Sequence, residues 1–234
     1  VVGDAKTQFF LSGGYFKQES PVIGSELKRY TGTFNLKHQL SNKFATGINL
    51  TLSSFHQQGE VESANFRNPI IAAMALLPTQ EAYNPDGSPN YDPNIFGQIY
   101  NPLAIIEYDR QNNQTSKLLG SAFLEYKVLE NLKLSTRFGI DYNNIEEYLY
   151  YNPYFGDART QSGSSANSYN RLYNWVWTNL ADYNFRFMDD KIDGTLTVGY
   201  EAQQSLTYTQ GGAGDVLPKN RNIRYPIPAV PTAA

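Results

Sequence analysis

Charged and small polar side chains alternate with apolar ones in several segments of the chain, where the charges could bind a solute or a protein domain in water. The clearest segment is 132–142, in which Leu, Leu, Thr, Phe, Ile and Tyr alternate with Lys, Ser, Arg, Gly and Asp. Side chains of a β-strand point to opposite faces in turn, so one face of this segment is apolar and the other carries charge. Strands of about this length with one apolar face are what a bilayer-spanning barrel needs.

The same alternation in other segments collects charged residues opposite the apolar positions. If the apolar positions meet lipid, the opposite face is wet, and we expect its charged side chains to line a lumen and to contact a solute or a plug. A solvated strand face in a soluble β-sandwich is the alternative. The lumen-facing candidates are Arg29, Lys37, Glu125, Lys127, Lys133, Arg137, Asp141 and Glu201.

Catalytic and metal-binding constellations are not predicted. The two histidines, His38 and His56, lie near the ends of different predicted strands. Glu146 and Glu147 are adjacent, and adjacent strand residues face opposite ways, so they cannot act as an acid/base pair. The chain has no cysteine, which excludes disulfides and thiolate ligands. We therefore predict a protein that is not an enzyme and holds no cofactor or metal.

Composition also argues against a nucleic-acid partner. The net charge is −3 and the acidic and basic residues are interspersed, so no basic run is present. Aromatic residues make up 14% of the chain and charged residues 18%. The first residues, Val1-Val2-Gly3-Asp4, show no basic and apolar leader pattern, so we expect a mature or interior piece of a polypeptide.

The connections between predicted strands alternate in length. Seven strands are predicted, at about 6–16, 28–40, 43–55, 117–129, 132–142, 168–187 and 192–208. Short connections are expected at 41–42, 130–131 and 188–191, and long ones at 17–27, 57–116 and 150–167, with a tail from 210. Antiparallel pairing puts all the short turns on one side, as in bacterial outer-membrane barrels.

The longest connection, 57–116, is expected to be an extracellular loop with structure of its own. Asn68-Pro69 begins an apolar run that Pro78 ends, which predicts a short helix. If a sugar is bound, we expect it at the aromatic stretch in the loop after the fifth strand, because aromatic rings stack on sugars. Its candidate substrate contacts are Tyr150, Tyr151, Tyr154 and Phe155.

An ordered series of motifs resembles the SusC/RagA-type TonB-dependent transporters of Bacteroidota over nearly the whole chain. In order, the motifs are Asn68-Pro69-Ile70 with Pro78-Thr79-Gln80, Tyr83-Asn84-x-Asp86-Gly87-Ser88, Tyr100-Asn101-Pro102-Leu103-Ala104, Leu118-Leu119-Gly120, Glu125-Tyr126-Lys127, Phe138-Gly139-Ile140-Asp141-Tyr142 and Asn174-Trp175-x-Trp177-Thr178-Asn179. The resemblance implies a 22-stranded outer-membrane barrel around an N-terminal plug, capped by a SusD-like lipoprotein and energised by the TonB complex.

The prediction is therefore an all-β chain, 1–234, that forms about seven antiparallel strands from the middle of a larger transmembrane barrel, without its plug or terminal strands. The expected function is TonB-dependent import of oligosaccharide or peptide nutrients across the outer membrane, with lipid and a SusD-like lipoprotein as partners. The alternatives are a passive porin, a structural or secretion-associated outer-membrane barrel, and a soluble carbohydrate-binding β-sandwich.

Overall fold

The computed structural model describes residues 2–4, 6–59, 65–187, 192–217 and 230–233, and the strands within them form one antiparallel sheet in sequential order. Seven long strands make up most of the sheet, and a short strand lies at each end. The strands are β1 Val2–Gly3, β2 Thr7–Glu19, β3 Glu26–Gln39, β4 Phe44–Gly59, β5 Arg110–Leu129, β6 Leu132–Tyr151, β7 Ser164–Phe187, β8 Ile192–Asp215 and β9 Val230–Ala233.

The register joins the apolar positions of neighbouring strands into one continuous face. Phe34 of β3 lies opposite Leu11 of β2 and Leu50 of β4, and Ile140 of β6 lies opposite Trp175 of β7. Residues paired directly across antiparallel strands share a face, so the seven predicted apolar sets fall on the same side of the sheet. We call this side the apolar face and the opposite side the polar face.

Aromatic rings bracket the apolar face at both ends. Phe44 stacks on Tyr126 with ring centroids 4.3 Å apart near one end, and Tyr15 lies 5.1 Å from Tyr30 near the other. The height of the apolar band can be measured along β5, from Tyr126 at one end to Leu118 at the other, where Tyr142 of β6 is in register. These two residues of β5 are eight positions apart. Eight residues span about 26 Å along a strand, or about 20 Å once the strand is tilted as in a barrel. This height is close to the apolar band between the aromatic girdles of outer-membrane barrels.

Two indole N–H groups lie on the apolar face between these aromatic rings, and both have protein acceptors. Trp177 Nε1 donates to Thr136 Oγ1 at 2.8 Å, and Trp175 Nε1 donates to Gln204 Oε1 at 3.2 Å. Hydrocarbon offers no hydrogen-bond acceptor, so a polar atom at this depth must be satisfied by the protein itself. The two cross-strand pairs are therefore compatible with a face in contact with lipid.

The short connections lie on one side of the sheet, which we call the turn side, and the long ones lie on the other, the loop side. Residues 40–43 and 130–131 make the turns, while 20–25, 60–109 and 152–163 make the longer connections. The predicted turn at 188–191 lies outside the described residues. The predicted sorting of the connections is confirmed for the part of the chain that the structure describes.

Every long strand extends farther toward the loop side than predicted. β4 runs to Gly59 and β5 begins at Arg110, so the predicted loop 57–116 is shortened to 60–109. β6 likewise continues from 142 to Tyr151. Backbone pairing persists in these extensions although the side chains turn polar, because hydrogen bonding between strands does not depend on contact of one face with lipid.

Three short helices occupy the connection between β4 and β5: α1 Pro69–Ala75, α2 Pro93–Phe96 and α3 Pro102–Tyr108. Each begins with an Asx-Pro pair, in which the Asx side-chain oxygen accepts a backbone N–H of the first turn and proline fills the first helical position. The predicted helix is confirmed as α1. Within the described residues, no helix is long and apolar enough to cross a membrane.

The helical segment 65–109 and the connection 152–163 pack together into one body, which we call the loop unit. Phe155 is only 5% exposed and belongs to a small core with Ala72, Ala104 and Ile105. Its ring stacks on Tyr91 at a centroid distance of 5.3 Å. The loop unit thus has a hydrophobic core of its own, which a free surface loop would lack.

Asp109 ties the two parts of the loop unit together. Its Oδ1 accepts hydrogen bonds from the backbone N–H of Asn152 at 3.0 Å and from Asn152 Nδ2 at 2.6 Å. Asn152 Oδ1 in turn accepts from the backbone N–H groups of Tyr154 and Phe155. Burial raises the pKa of Asp109 to about 6, although the bonds from Asn152 and the charges of Arg67 and Arg110 oppose the rise.

If the apolar face contacts lipid, substituting arginine for two neighbouring residues on opposite faces should change the free energy of unfolding by different amounts. Leu50→Arg should lower the free energy of unfolding by about 2–4 kcal/mol, because it puts a charge on the lipid side near the middle of the apolar band. Asn49→Arg, on the polar face, should cost far less. Denaturant titration of the intact protein folded into lipid vesicles measures both, and equal costs would contradict the assignment of the faces.

The raised pKa of Asp109 predicts a pH-dependent stability of the loop unit. The folded carboxyl holds its proton more tightly than the unfolded one, so the contribution is greatest below about pH 4 and is lost as the pH rises through about 6, by roughly 3 kcal/mol. Asp109→Asn keeps an acceptor for Asn152 and should abolish this dependence. Hydrogen exchange of the loop unit, corrected for intrinsic rates, measures both proteins, and an unchanged pH dependence in the variant would refute the assignment.

Candidate functional site

All eight charged candidates lie on the polar face. The register aligns Lys37, Gly47, Phe123, Arg137, Thr178 and Glu201 in a single row across β3 to β8. Glu125, Lys127, Lys133 and Asp141 occupy the same side one or two rows away, and Arg29 lies four rows away toward the loop side. The alternation in each strand thus brings together residues that are up to 172 positions apart in sequence, from Arg29 to Glu201.

Some of these charges are paired on the face itself. Lys133 Nζ lies 3.3 Å from Asp182 Oδ2, and Thr197 Oγ1 donates to the other oxygen of Asp182. Glu201 accepts a hydrogen bond from Thr178 Oγ1 at 2.9 Å. Among the described residues no ion pair is formed by Arg137. A face with paired and unpaired charges of both signs suits contact with water and polar ligands rather than lipid.

Phe123 is an apolar exception on this face, and a glycine explains its position. A β-carbon on Gly47 would lie 2.4 Å from Phe123 Cε1, so the ring lies across the bare backbone of Gly47. The Arg137 guanidinium lies 5.8 Å from the centre of the same ring. Covering glycine with an aromatic ring from the next strand protects the backbone hydrogen bonds of the wall.

A recess of about 870 Å³ opens on the polar face beside this row. Its wall combines apolar residues, among them Leu119 and Val176, with Arg137, Asp141 and several neutral hydrogen-bonding groups. The neutral polar residues are Asn49, Thr51, Ser121, Asn174, Gln203, Gln204 and Ser205. Several of them already bond in pairs across strands: Asn49 Nδ2 donates to Ser121 Oγ at 3.3 Å, and Ser205 Oγ donates to Asn174 Oδ1 at 2.6 Å.

The aromatic candidates after β6 are largely engaged within the loop unit. Phe155 is buried in its core, and Tyr154 packs on Tyr108 with centroids 6.3 Å apart. Tyr151 lies under the Arg67 guanidinium, 4.2 Å from the ring centre. Tyr150 is in β6, opposite Arg110 and Ser165, and is half-buried. Phe155 therefore has a structural role, while substrate contact by the three tyrosines stays a prediction.

An ion pair joins the two parts of the loop unit. Arg67 Nη2 lies 3.0 Å from Asp157 Oδ2, and Asp157 also accepts the hydroxyl proton of Tyr100. Burial, followed by the hydrogen bond to Asp157 and its negative charge, raises the pKa of Tyr100 to about 12, so the phenol stays neutral and donates. These contacts hold the two parts of the loop unit together.

Sequence reasoning missed three polar-face residues that bear on the site. Lys117 approaches Asp141 at 3.5 Å, Asp182 pairs with Lys133, and Asn174 lines the recess. Each of the three alternates with apolar residues in its own strand, so the same pattern would have placed it on the polar face. Their pairing depends on the strand register, which the sequence pattern did not specify.

No model of a protein family matches the chain. Among curated proteins, the TonB-dependent receptor P26 of Formosa agariphila is 32% identical over 141 residues, which cover 59% of this chain and 14% of the receptor. The TonB-dependent receptor P3 of the same organism is 24% identical over 208 residues, covering 86% of this chain and 20% of the receptor. The chain thus spans a fifth or less of the length of these relatives.

Solved structures share the fold over almost the whole chain. The RagAB peptide transporter superposes with a TM-score of 0.75 at 17% identity and covers 94% of this chain and 25% of its own. The RagAB peptide importer in its closed-closed state gives a TM-score of 0.73 at 19% identity, with the same coverage. The chain is thus similar in sequence to parts of two TonB-dependent receptors, and it shares the fold of a quarter of the RagAB transporter chain.

Proposed function

We propose that the chain forms part of the wall and outer loops of an outer-membrane transporter that imports oligosaccharide or peptide nutrients with energy from the TonB complex. The observation that carries this proposal is the separation of faces across seven strands. The apolar face is suited to lipid, and the polar face to a hydrated path for a solute. The similarity to TonB-dependent receptors supports active import over passive diffusion.

A SusD-like surface lipoprotein is the proposed partner on the loop side. The loop unit carries an apolar stripe on α1 and just beyond it, where Met74 is 77% exposed and Leu77 is 66% exposed. Ile70 and Ala73 lie on the same stripe at helical spacing and are exposed too. An exposed apolar stripe on a well-packed body is typical of a protein interface, which supports a docked partner.

The proposal is tested by uptake in a strain that lacks the gene for the intact protein. Loss of oligosaccharide or peptide uptake, restored by the gene only when the TonB complex is functional, is the expected result. Uptake that persists without the TonB complex would identify a passive porin. Retained uptake with a loss of secretion would instead identify a secretion-associated barrel, and either result would overturn the proposal.

The topology makes a separate prediction for intact cells. The chain has no cysteine, so single cysteines can be labelled without background. Glu81→Cys in the loop unit should react with a membrane-impermeant maleimide on intact cells, whereas Glu130→Cys in the turn between β5 and β6 should react only after the outer membrane is permeabilised. Both glutamates are exposed, which makes them a matched pair. Labelling of Glu130→Cys on intact cells would reverse or exclude this topology.

A further inference from the structure

We propose that the apolar face of β2 and β3, at its loop-side end, binds a membrane lipid whose headgroup carries a phosphate and, farther from the membrane, an ammonium group. The inference goes beyond the proposed function and needs only that the apolar face contacts lipid. Four successive pairs of identical residues are directly opposite each other on this face. From the apolar band outward, the pairs are Gly13 with Gly32, Tyr15 with Tyr30, Lys17 with Lys28, and Glu19 with Glu26.

The glycine pair leaves bare backbone just inside the tyrosine rings. A β-carbon on Gly13 or on Gly32 would meet no atom of a neighbouring residue within 4 Å, so the space above the pair is open. Gly32 is in register with Leu52, which lines a groove of about 370 Å³ on the apolar face together with Tyr30 and Tyr142. An acyl chain can lie across this low part of the wall and gain contacts that a protruding side chain would prevent.

Hydroxyl groups form the next row outward. The rings of Tyr15 and Tyr30 have centroids 5.1 Å apart, and the same register row continues with Ser54 and Ser116. Among the described residues, none of these four hydroxyls has a hydrogen-bond partner. Tyrosine rings at the edge of the apolar band of a barrel lie at the level of the lipid headgroups. Ester carbonyls of a lipid accept hydrogen bonds and donate none, so this row supplies the donors that they need.

The lysine and glutamate pairs set the order of charge. Like charges directly opposite each other destabilise a sheet, and two such pairs follow one another here. The pairs compensate each other: Lys17 forms an ion pair with Glu19 and lies 3.7 Å from Glu26, and Lys28 forms an ion pair with Glu26. The side chain of Glu19 is 71% exposed, so its pair is weak and accessible to the charges of a ligand. Cations followed by anions complement a phosphate followed by an ammonium group.

The other end of the apolar face of these two strands offers no comparable site. Beyond Phe9 and Leu36, Thr7 is opposite His38, and Thr7 Oγ1 and His38 Nδ1 are hydrogen-bonded to each other at 2.8 Å. No lysine, arginine, aspartate or glutamate of β2 or β3 lies on the apolar face at that end. The series of pairs therefore assigns the lipid to the leaflet on the loop side.

The test measures which lipids are retained by the intact transporter that contains this chain, using native mass spectrometry of the protein purified in detergent. The probes are phosphatidylethanolamine, its N-acetyl derivative with the same acyl chains, and monophosphoryl lipid A, of which the last two carry a phosphate and no ammonium. Phosphatidylethanolamine should be retained at least about fivefold more than either, which is the effect of one partly exposed ion pair. Equal retention of the three, or a preference for lipid A, would overturn the inference.

Variants assign the preference to the charged pairs. Glu19→Gln combined with Glu26→Gln should abolish the preference for phosphatidylethanolamine over its N-acetyl derivative, because the partners of the ammonium are gone. Lys17→Gln combined with Lys28→Gln should lower the retention of both lipids about fivefold. Arg186→Gln breaks an exposed ion pair on the polar face and is the matched control, which should retain lipids like the parent protein. A parental preference in the double glutamate variant would contradict the assigned roles.

A further variant tests the bare backbone. Gly32→Leu puts a side chain into open space without a clash, so the protein should fold while its retention of phosphatidylethanolamine falls about fivefold through lost contacts. If the charge variants do not assemble in the membrane, this variant and the comparison of lipids on the parent protein decide the question. Parental lipid retention in every variant, with TonB-dependent uptake intact, would refute the lipid site and leave the proposed function in place.

Discussion

The structure depends on one constraint: backbone polar groups inside hydrocarbon must be satisfied by the protein, and a β-sheet does this only between strands. Seven long strands, each paired antiparallel with the next, meet that requirement across the sheet. The period of two then separates side chains into two faces, so the same pairing that satisfies the backbone also divides lipid-facing from water-facing residues. A shift of one residue in any strand would move its charges onto the apolar face.

The recess and the loop unit are two consequences of this arrangement. Charges of both signs lie on the polar face because the register aligns them in rows, and glycines at positions 47 and 139 let neighbouring side chains lie flat against the wall. Above the strands, the loop unit has its own core around Phe155 and its own hydrogen-bond link between Asp109 and Asn152. In the proposed transporter, the wall would offer polar groups to a solute, and the loop unit would offer a packed outer surface to a partner.

Much of the fold was predictable from the sequence because alternation survives wherever one face is apolar. The strands, their apolar parity and the sorting of the turns followed from it, as did the helix that begins at Asn68-Pro69. The outer ends of β4, β5 and β6 did not, because polar residues there pair without alternating. The burial of Phe155 was equally hidden, since its partners Tyr91 and Ala104 are distant in sequence. The pairing of Lys117 with Asp141 needed the register.

The most direct test of the two-faced wall is a scan of single spin-labelled cysteines through residues 132–142 of β6 in the membrane-embedded protein. Collision rates with oxygen and with a water-soluble nickel complex should alternate with a period of two, with oxygen contact highest at 134, 138 and 140 and nickel contact highest at 135, 137 and 141. Uniform accessibility along the segment, or low accessibility to both reagents at 138 and 140 as in the core of a globular protein, would contradict the account.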